Sequence, residues 1–161
     1  MRHILIILSL FLFSLTIISC SEKEESTTTT SSGTTTTSSG VFVAVGEQGI
    51  ILTSSDGTTW STVTTTASDN DNSSSDGGFK SSQSLKDISY GSSTYVMVGS
   101  NYSGSAGSIY TSSDGTTWTL RSSGTTNTLN GVTFGNSNFF AVGTGIILKS
   151  SDGTTWSTVT T

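Results

Sequence analysis

SSDGTTW occupies residues 54–60 and returns without a substitution at 112–118 and 150–156. An acidic residue, a glycine and a tryptophan at fixed offsets, three times over, mark the chain as a repeat protein, and the repeat has to be measured before any other reading is trusted. Trp60, Trp118 and Trp156 stand 58 and 38 residues apart. The excess of 20 in the longer interval is local. Six residues belong to SNYSGSAG after Gly99, against TG after Gly143, and fourteen to the polar stretch around ASDNDNSSSDGG. The underlying unit is therefore 38 residues.

Aligned on the heptad, the units share four short segments with the two-residue rhythm of strands. LKDISYG (85–91) matches LNGVTFG (129–135); TYVMVG (94–99) matches NFFAVG (138–143) and VFVAVG (41–46). GIILTSS, GSIYTSS and GIILKSS run into the aspartate, and WSTVTT, WTLRSS and WSTVTT follow it. No window carries helical periodicity, and the chain has no proline. Each complete unit reads as a four-stranded antiparallel meander, and such units in series are expected to be blades of an all-β, propeller-type fold. Residues 41–161 begin at a second strand, so three, four and four strands are expected, about 2.75 blades.

Asp-Gly between two strand-like runs is a hairpin signal, because a two-residue turn of the favoured hand needs positive φ, which glycine supplies and aspartate tolerates. The carboxylate is expected to accept backbone N–H groups of the turn, with Ser and Thr hydroxyls competing for them. The tryptophan is expected to cover the layer between strands or blades, burying about 200 Å². Asp56, Gly57, Trp60, Asp114, Gly115, Trp118, Asp152, Gly153 and Trp156 are thus structural residues.

The amino-terminal 20 residues, MRHILIILSLFLFSLTIISC, carry Arg2 and His3, an apolar run from Ile4 and small Ser19 before Cys20, the layout of a secretory signal. The run Ile4–Ile18 is 15 residues, short against the roughly 20 that span a bilayer. Ile17, Ile18, Ser19 and Cys20 resemble the lipobox of bacterial lipoproteins. That resemblance implies cleavage after residue 19 and lipid on the Cys20 thiol, and Ser21 after the cysteine implies the outer membrane in a Gram-negative host. Residues 21–40 contain TTTTSSG twice in tandem and almost nothing apolar; residues 20–40 are expected to be a lipidated tether, about 25 Å long as a flexible coil. The expected organisation is signal 1–19, tether 20–40 and repeat domain 41–161.

Removing the signal also removes the only histidine, His3, and Cys20 is the only cysteine. A disulfide, a histidine base, a Ser-His-Asp triad and a Cys/His zinc site are then excluded. The remaining cations, Lys23, Lys80, Lys86, Arg121 and Lys149, stand against eleven acids, a formal −6. A basic nucleic-acid footprint is missing, and attachment to an anionic membrane rests on acyl chains.

S-x-D-G-T-T-W resembles the Asp-box, or BNR repeat, of sialidases, photosystem II stability and assembly factors and sortilin-like receptors, with the residue between aspartate and glycine absent. The surrounding F-x-A-V-G and G-x-I-x-x-S resemble the arrays of bacterial propeller lipoproteins. The resemblance covers 41–161 and implies that the box sits on an outer hairpin, away from the central funnel. Sialidases resemble one another in a three-arginine clamp, a tyrosine nucleophile, a glutamate and an aspartate. Here Arg121 is the one arginine left, and Tyr90 and Tyr95 sit in strands with Tyr102 and Tyr110 as the other tyrosines. Glu47 is the one glutamate beyond the tether and falls in a turn, so a Glu/Asp or Asp/Asp pair is what remains for glycoside hydrolysis.

ASDNDNSSSDGG (67–78) places Asp69, Asp71 and Asp76 among oxygen donors, like the opening of a calcium loop, but no closing glutamate follows. A solvated insertion is the simpler reading, and no cofactor is expected. The sequence points to a non-catalytic, lipid-anchored module of the bacterial envelope that binds or scaffolds a protein or glycan. An assembly-factor-like role is the alternative, and a sialidase-like hydrolase fragment the more distant one. Exposed blade faces make a homo-oligomer an expected state.

Overall fold

The computed structural model describes residues 17–22, 40–63, 83–101 and 106–160. Among them the fold is all-β, with twelve strands and no helix. Sheet 1 consists of β1 (Ile17–Glu22), β2 (Phe42–Gly46), β3 (Ile51–Ser54) and β4 (Ser61–Thr62). Sheet 2 consists of β5 (Ser84–Gly91), β6 (Thr94–Ser100), β7 (Gly107–Ser112) and β8 (Thr119–Arg121). Sheet 3 consists of β9 (Leu129–Gly135), β10 (Asn138–Gly143), β11 (Ile146–Ser150) and β12 (Ser157–Thr158). Each is an antiparallel meander in chain order.

The repeat extends to register. Val45 lies opposite Ile51, Val98 opposite Ile109 and Val142 opposite Ile147. The first strand of every sheet skips a residue at the same place, between Ile17 and Ser19, Leu85 and Asp87, Leu129 and Gly131. Such bulges add twist at one point of a strand. Two-residue turns with positive φ do occur, at Ser92–Ser93 and Asn136–Ser137, which join the first and second strands of sheets 2 and 3.

The expected count of three, four and four strands is corrected to four, four and four. The strand wanting from the first unit is β1, which pairs with β2 from Ile17 opposite Gly46 to Glu22 opposite Phe42. Its physical logic is the repeat itself: IISCS takes the register of LKDIS and LNGVT, with Cys20 opposite Ala44 as Ile88 is opposite Met97 and Val132 opposite Ala141. The strand crosses the expected cleavage position: Ile17–Ser19 lie before it and Cys20–Glu22 after it, so cleavage there would leave Cys20–Glu22 as the part of β1 still able to pair with β2. The remainder of the signal, the tether from 23 to 39 and the acidic insertion 67–78 lie outside the described residues.

Both faces of the middle strands are apolar, so each sheet needs a neighbour on either side. Val43, Val45 and Ile51 of sheet 1 meet Leu85, Ile88, Tyr95, Met97, Tyr110 and Trp118 of sheet 2 in one core. Val96, Val98 and Ile109, on the opposite face of sheet 2, meet Leu129, Val132, Phe139, Ala141 and Leu148 of sheet 3 in the other. Aromatic pairs recur at equivalent places, Tyr90–Tyr95 with ring centroids 4.5 Å apart and Phe134–Phe139 at 4.7 Å, both tilted geometries that such rings favour.

One carboxylate ties the first strands together. β1 lies against β5 and β5 against β9, and Asp87, just past the bulge of β5, accepts the Val132 N–H at 2.8 Å on one side and the Ser19 hydroxyl on the other. The Ile88 N–H points at the same group, 2.9 Å from Asp87 Oδ1 and 3.1 Å from Ser19 Oγ. Truncating Asp87 leaves the Val132 N–H without its acceptor and the Ile88 N–H with Ser19 Oγ alone. Asp87→Ala is therefore expected to cost about 1–3 kcal/mol in urea denaturation, whereas Lys86→Ala, which removes only the 3.9 Å ion pair to exposed Glu47, is expected to cost about 0–1 kcal/mol.

Candidate functional site

The three heptads fold alike. In the first, the Ser54 hydroxyl donates to Asp56 Oδ1 at 2.9 Å and accepts the N–H groups of Asp56 (3.2 Å) and Gly57 (2.8 Å). Asp56 Oδ1 then accepts the N–H groups of Thr58 (2.8 Å) and Thr59 (2.7 Å), and Trp60 Nε1 donates to the Gly57 carbonyl at 3.2 Å. The same six bonds recur from Ser112 to Trp118 and from Ser150 to Trp156, none differing from its counterpart by more than a few tenths of an ångström.

This is not the two-residue turn that Asp-Gly implies. Strand pairing stops at Thr53–Ser61, Thr111–Thr119 and Lys149–Ser157, so seven residues form each connection. Within it only the glycines have positive φ, +70°, +76° and +75°. The aspartate keeps ordinary backbone geometry because its carboxylate, not its φ, makes the turn. Serine does not compete with it but serves different N–H groups, so the two side chains together satisfy four backbone donors.

The electrostatics follow from those bonds. The Thr59 and Thr58 N–H groups, with the Ser54 hydroxyl, hold the Asp56 carboxyl well below the usual carboxylate range. For Asp114, desolvation is the largest single influence and pushes upward, but the N–H groups of Thr117 and Thr116 and the Ser112 hydroxyl outweigh it, leaving the carboxyl lowered as well. Asp152 is lowered by the Thr154 hydroxyl and by the N–H groups of Thr155 and Thr154. A carboxylate so held is a poor proton donor or acceptor near neutrality. In each heptad the serine hydroxyl and one carboxylate oxygen, Oδ1, are turned on the turn's own backbone.

Identical heptads nevertheless sit in different surroundings. A Cβ on Gly115 would stand 2.7 Å from Val43 Cγ2 of sheet 1, and one on Gly153 would stand 2.8 Å from Val96 Cγ2 of sheet 2. The second and third heptads, each a clasp between two sheets, thus rest their glycines on a valine of the preceding sheet. Gly57 has no preceding sheet among the described residues and meets only the Phe42 ring, at 3.7 Å. Gly115 and Gly153 are buried and Gly57 is exposed. Trp118 is buried, while Trp60 and Trp156 are half-buried, so the expected burial of every tryptophan holds fully for one.

The groups weighed for catalysis do not converge. Arg121 lies on β8, its Nε donating to Thr111 Oγ1 at 2.9 Å, beside a shallow groove of about 440 Å³ whose described lining holds no carboxylate. Tyr95 and Tyr110 are core residues; the Tyr95 hydroxyl donates to the Val41 carbonyl, and the Gln83 side-chain amide donates to the Tyr110 hydroxyl at 3.0 Å. Glu47 bridges to Ser84 at the end of β2. Among the described residues no cluster of His, Cys, Asp and Glu is arranged to hold a metal; Asp69, Asp71, Asp76 and Tyr102 lie outside them. Asp87 is the site residue that sequence reading missed. Its counterparts are Ser19 and Gly131, so only the shared register singles it out. Comparison of the chain with protein-family models, with curated proteins and with solved structures gives no match in any of the three.

Two outcomes are expected. All three glycines stand at positive φ, so Gly57→Ala should cost about 1–2 kcal/mol, while Gly115→Ala and Gly153→Ala should each cost about 1–3 kcal/mol more through overpacking on Val43 and Val96. Equal losses in thermal melts of the three would contradict the inter-sheet role. The second concerns pH. Because the folded-state values of Asp56, Asp114 and Asp152 are depressed, their contribution is complete above the unfolded carboxylate value of about 3.9 and is lost as pH falls from there toward the folded values. Stability should be flat from pH 7 to 5 and decline below 4. Asp114→Asn, which keeps an acceptor oxygen but has no charge to titrate, should reduce that slope.

Proposed function

We propose that the chain is a lipid-anchored protein of the bacterial envelope whose sheets are blades of a propeller-type module that binds or scaffolds a protein or glycan and performs no catalysis. The observation that carries this reading is the inward-turned chemistry of the repeated clasp: three ionised carboxylates, each engaged by two backbone N–H groups and a serine hydroxyl. Residues spent in this way explain perfect repetition by the repetition of scaffold. The blade interpretation is supported by meander order and by first strands that lie side by side, the arrangement propellers use. The similarity of the heptad to the Asp-box supports the same reading.

The anchor is tested by labelling cells expressing the full chain with radioactive palmitate. Incorporation is expected in the natural chain and absent in Cys20→Ala; label retained by the variant refutes attachment at that residue. The non-catalytic half is tested by incubating the purified chain with fluorogenic sialosides and neutral glycosides. Release no greater than that of a matched blank is expected, and turnover lost in Arg121→Ala would reinstate the hydrolase.

A further inference from the structure

Inside this chain one kind of face receives one kind of partner, twice. Val43, Val45 and Ile51 receive sheet 2, and Val96, Val98 and Ile109 receive sheet 3. Register places Phe140, Val142 and Ile147 at the same positions of sheet 3. There, among the described residues, nothing is seated: Val45 is 1% and Val98 0% exposed, but Val142 is 45% exposed. A groove of about 510 Å³ runs along the face beside Val142, Ile147 and Val159.

Among the described residues nothing is seated on the complementary surface at the other side of the stack either. Phe42 and Leu52 of sheet 1 occupy the register of Tyr95 and Tyr110 and of Phe139 and Leu148, all four of which are fully buried against the preceding sheet, yet Phe42 and Leu52 are half-buried. The exposed Gly57 belongs to this surface. What would fill the vacant face of sheet 3 is written in the chain: GTTWST at 153–158, whose glycine rests on Val96, is repeated letter for letter at 57–62. The segment already seen seated on such a face exists a second time, with no such face beneath it among the described residues.

Charge favours the same match. A Cβ on Gly153 would lie 3.6 Å from Thr111 Cγ2, and the residue at the Thr111 position in sheet 3 is Lys149, which lies opposite Phe140 with its ammonium 5.9 Å from that ring. Seating Gly57 by the internal rule would bring Lys149 beside Asp56, one residue away and ionised. We propose that the Phe140/Val142/Ile147 face of one copy receives the Phe42/Leu52/Gly57 face of a second copy, the pair closing reciprocally about a two-fold axis into six stacked sheets. This inference rests on the stacking rule and is independent of lipidation or ligand class.

The test is the protein mass of the full chain in detergent by light scattering coupled to size exclusion, together with a photo-cross-linking amino acid at position 142. A mass of two chains is expected, with cross-links joining position 142 of an isotope-labelled chain to a peptide within 42–60 of an unlabelled one. Val142→Asp and Lys149→Glu, both at exposed positions, are each expected to weaken the pair by about tenfold or more with the tryptophan spectrum unchanged. A mass of one chain, cross-links confined to the same chain or to an unrelated protein, or a pair indifferent to both substitutions would overturn the proposal.

Discussion

A sheet of four short strands with apolar side chains on both faces cannot bury either face by itself, and that constraint organises the molecule. Along β6 all residues from Tyr95 to Ser100 are buried, which is possible only with a sheet on each side. The recurring solution is a stack in which the second and third heptads lean backward, Gly115 on Val43 and Gly153 on Val96. Glycine is required at these points on two counts, positive φ and closeness to a neighbouring side chain. Repeat proteins generally divide stability between units and their interfaces. In this chain the second and third heptads contribute to both, since their hydrogen bonds close a turn within a sheet and their glycines reach the sheet before.

The bonding of the clasp also defines its limits as chemistry. A carboxylate that accepts two N–H groups and a hydroxyl has its charge well stabilised in place, which makes it a weak base near neutrality. Asp87 illustrates the same economy at larger scale. Positioned by a bulge, in the uncleaved chain it connects three strands from three sheets through the Ser19 hydroxyl and the Val132 N–H, so that an ionisable group at the meeting of the first strands acts as a cross-brace.

The sequence disclosed the repeat length and the strands, because hydrophobic alternation and perfect recurrence are local signals. The turn type was misjudged since Asp-Gly marks several connections, and the six-bond pattern depends on Ser54 and its counterparts, whose role emerges only when backbone donors are matched to acceptors. β1 was missed because its residues satisfy a second pattern: Ile17, Ile18, Ser19 and Cys20 read as the end of a secretory signal, and the same letters align with LKDI and LNGV. The difference between Gly57 and its two equivalents was invisible in principle, since identical residues were placed in unlike surroundings by position in the stack alone.

The connection between β1 and β2 has a kinetic meaning. Sheets 2 and 3 are joined within themselves by hairpins whose partners are near in sequence, such as Gly91 with Thr94 and Gly135 with Asn138. In sheet 1 the pair nearest to the connection is Glu22 with Phe42, and closing that longer loop costs entropy before any ladder bond is returned. Contact-order reasoning therefore orders assembly from the carboxyl-terminal side, with local meanders forming first and β1 adding last to an edge already built. Pulse-labelled hydrogen exchange would read that order as protection appearing in β10 and β11 before β2 loses its exposed edge.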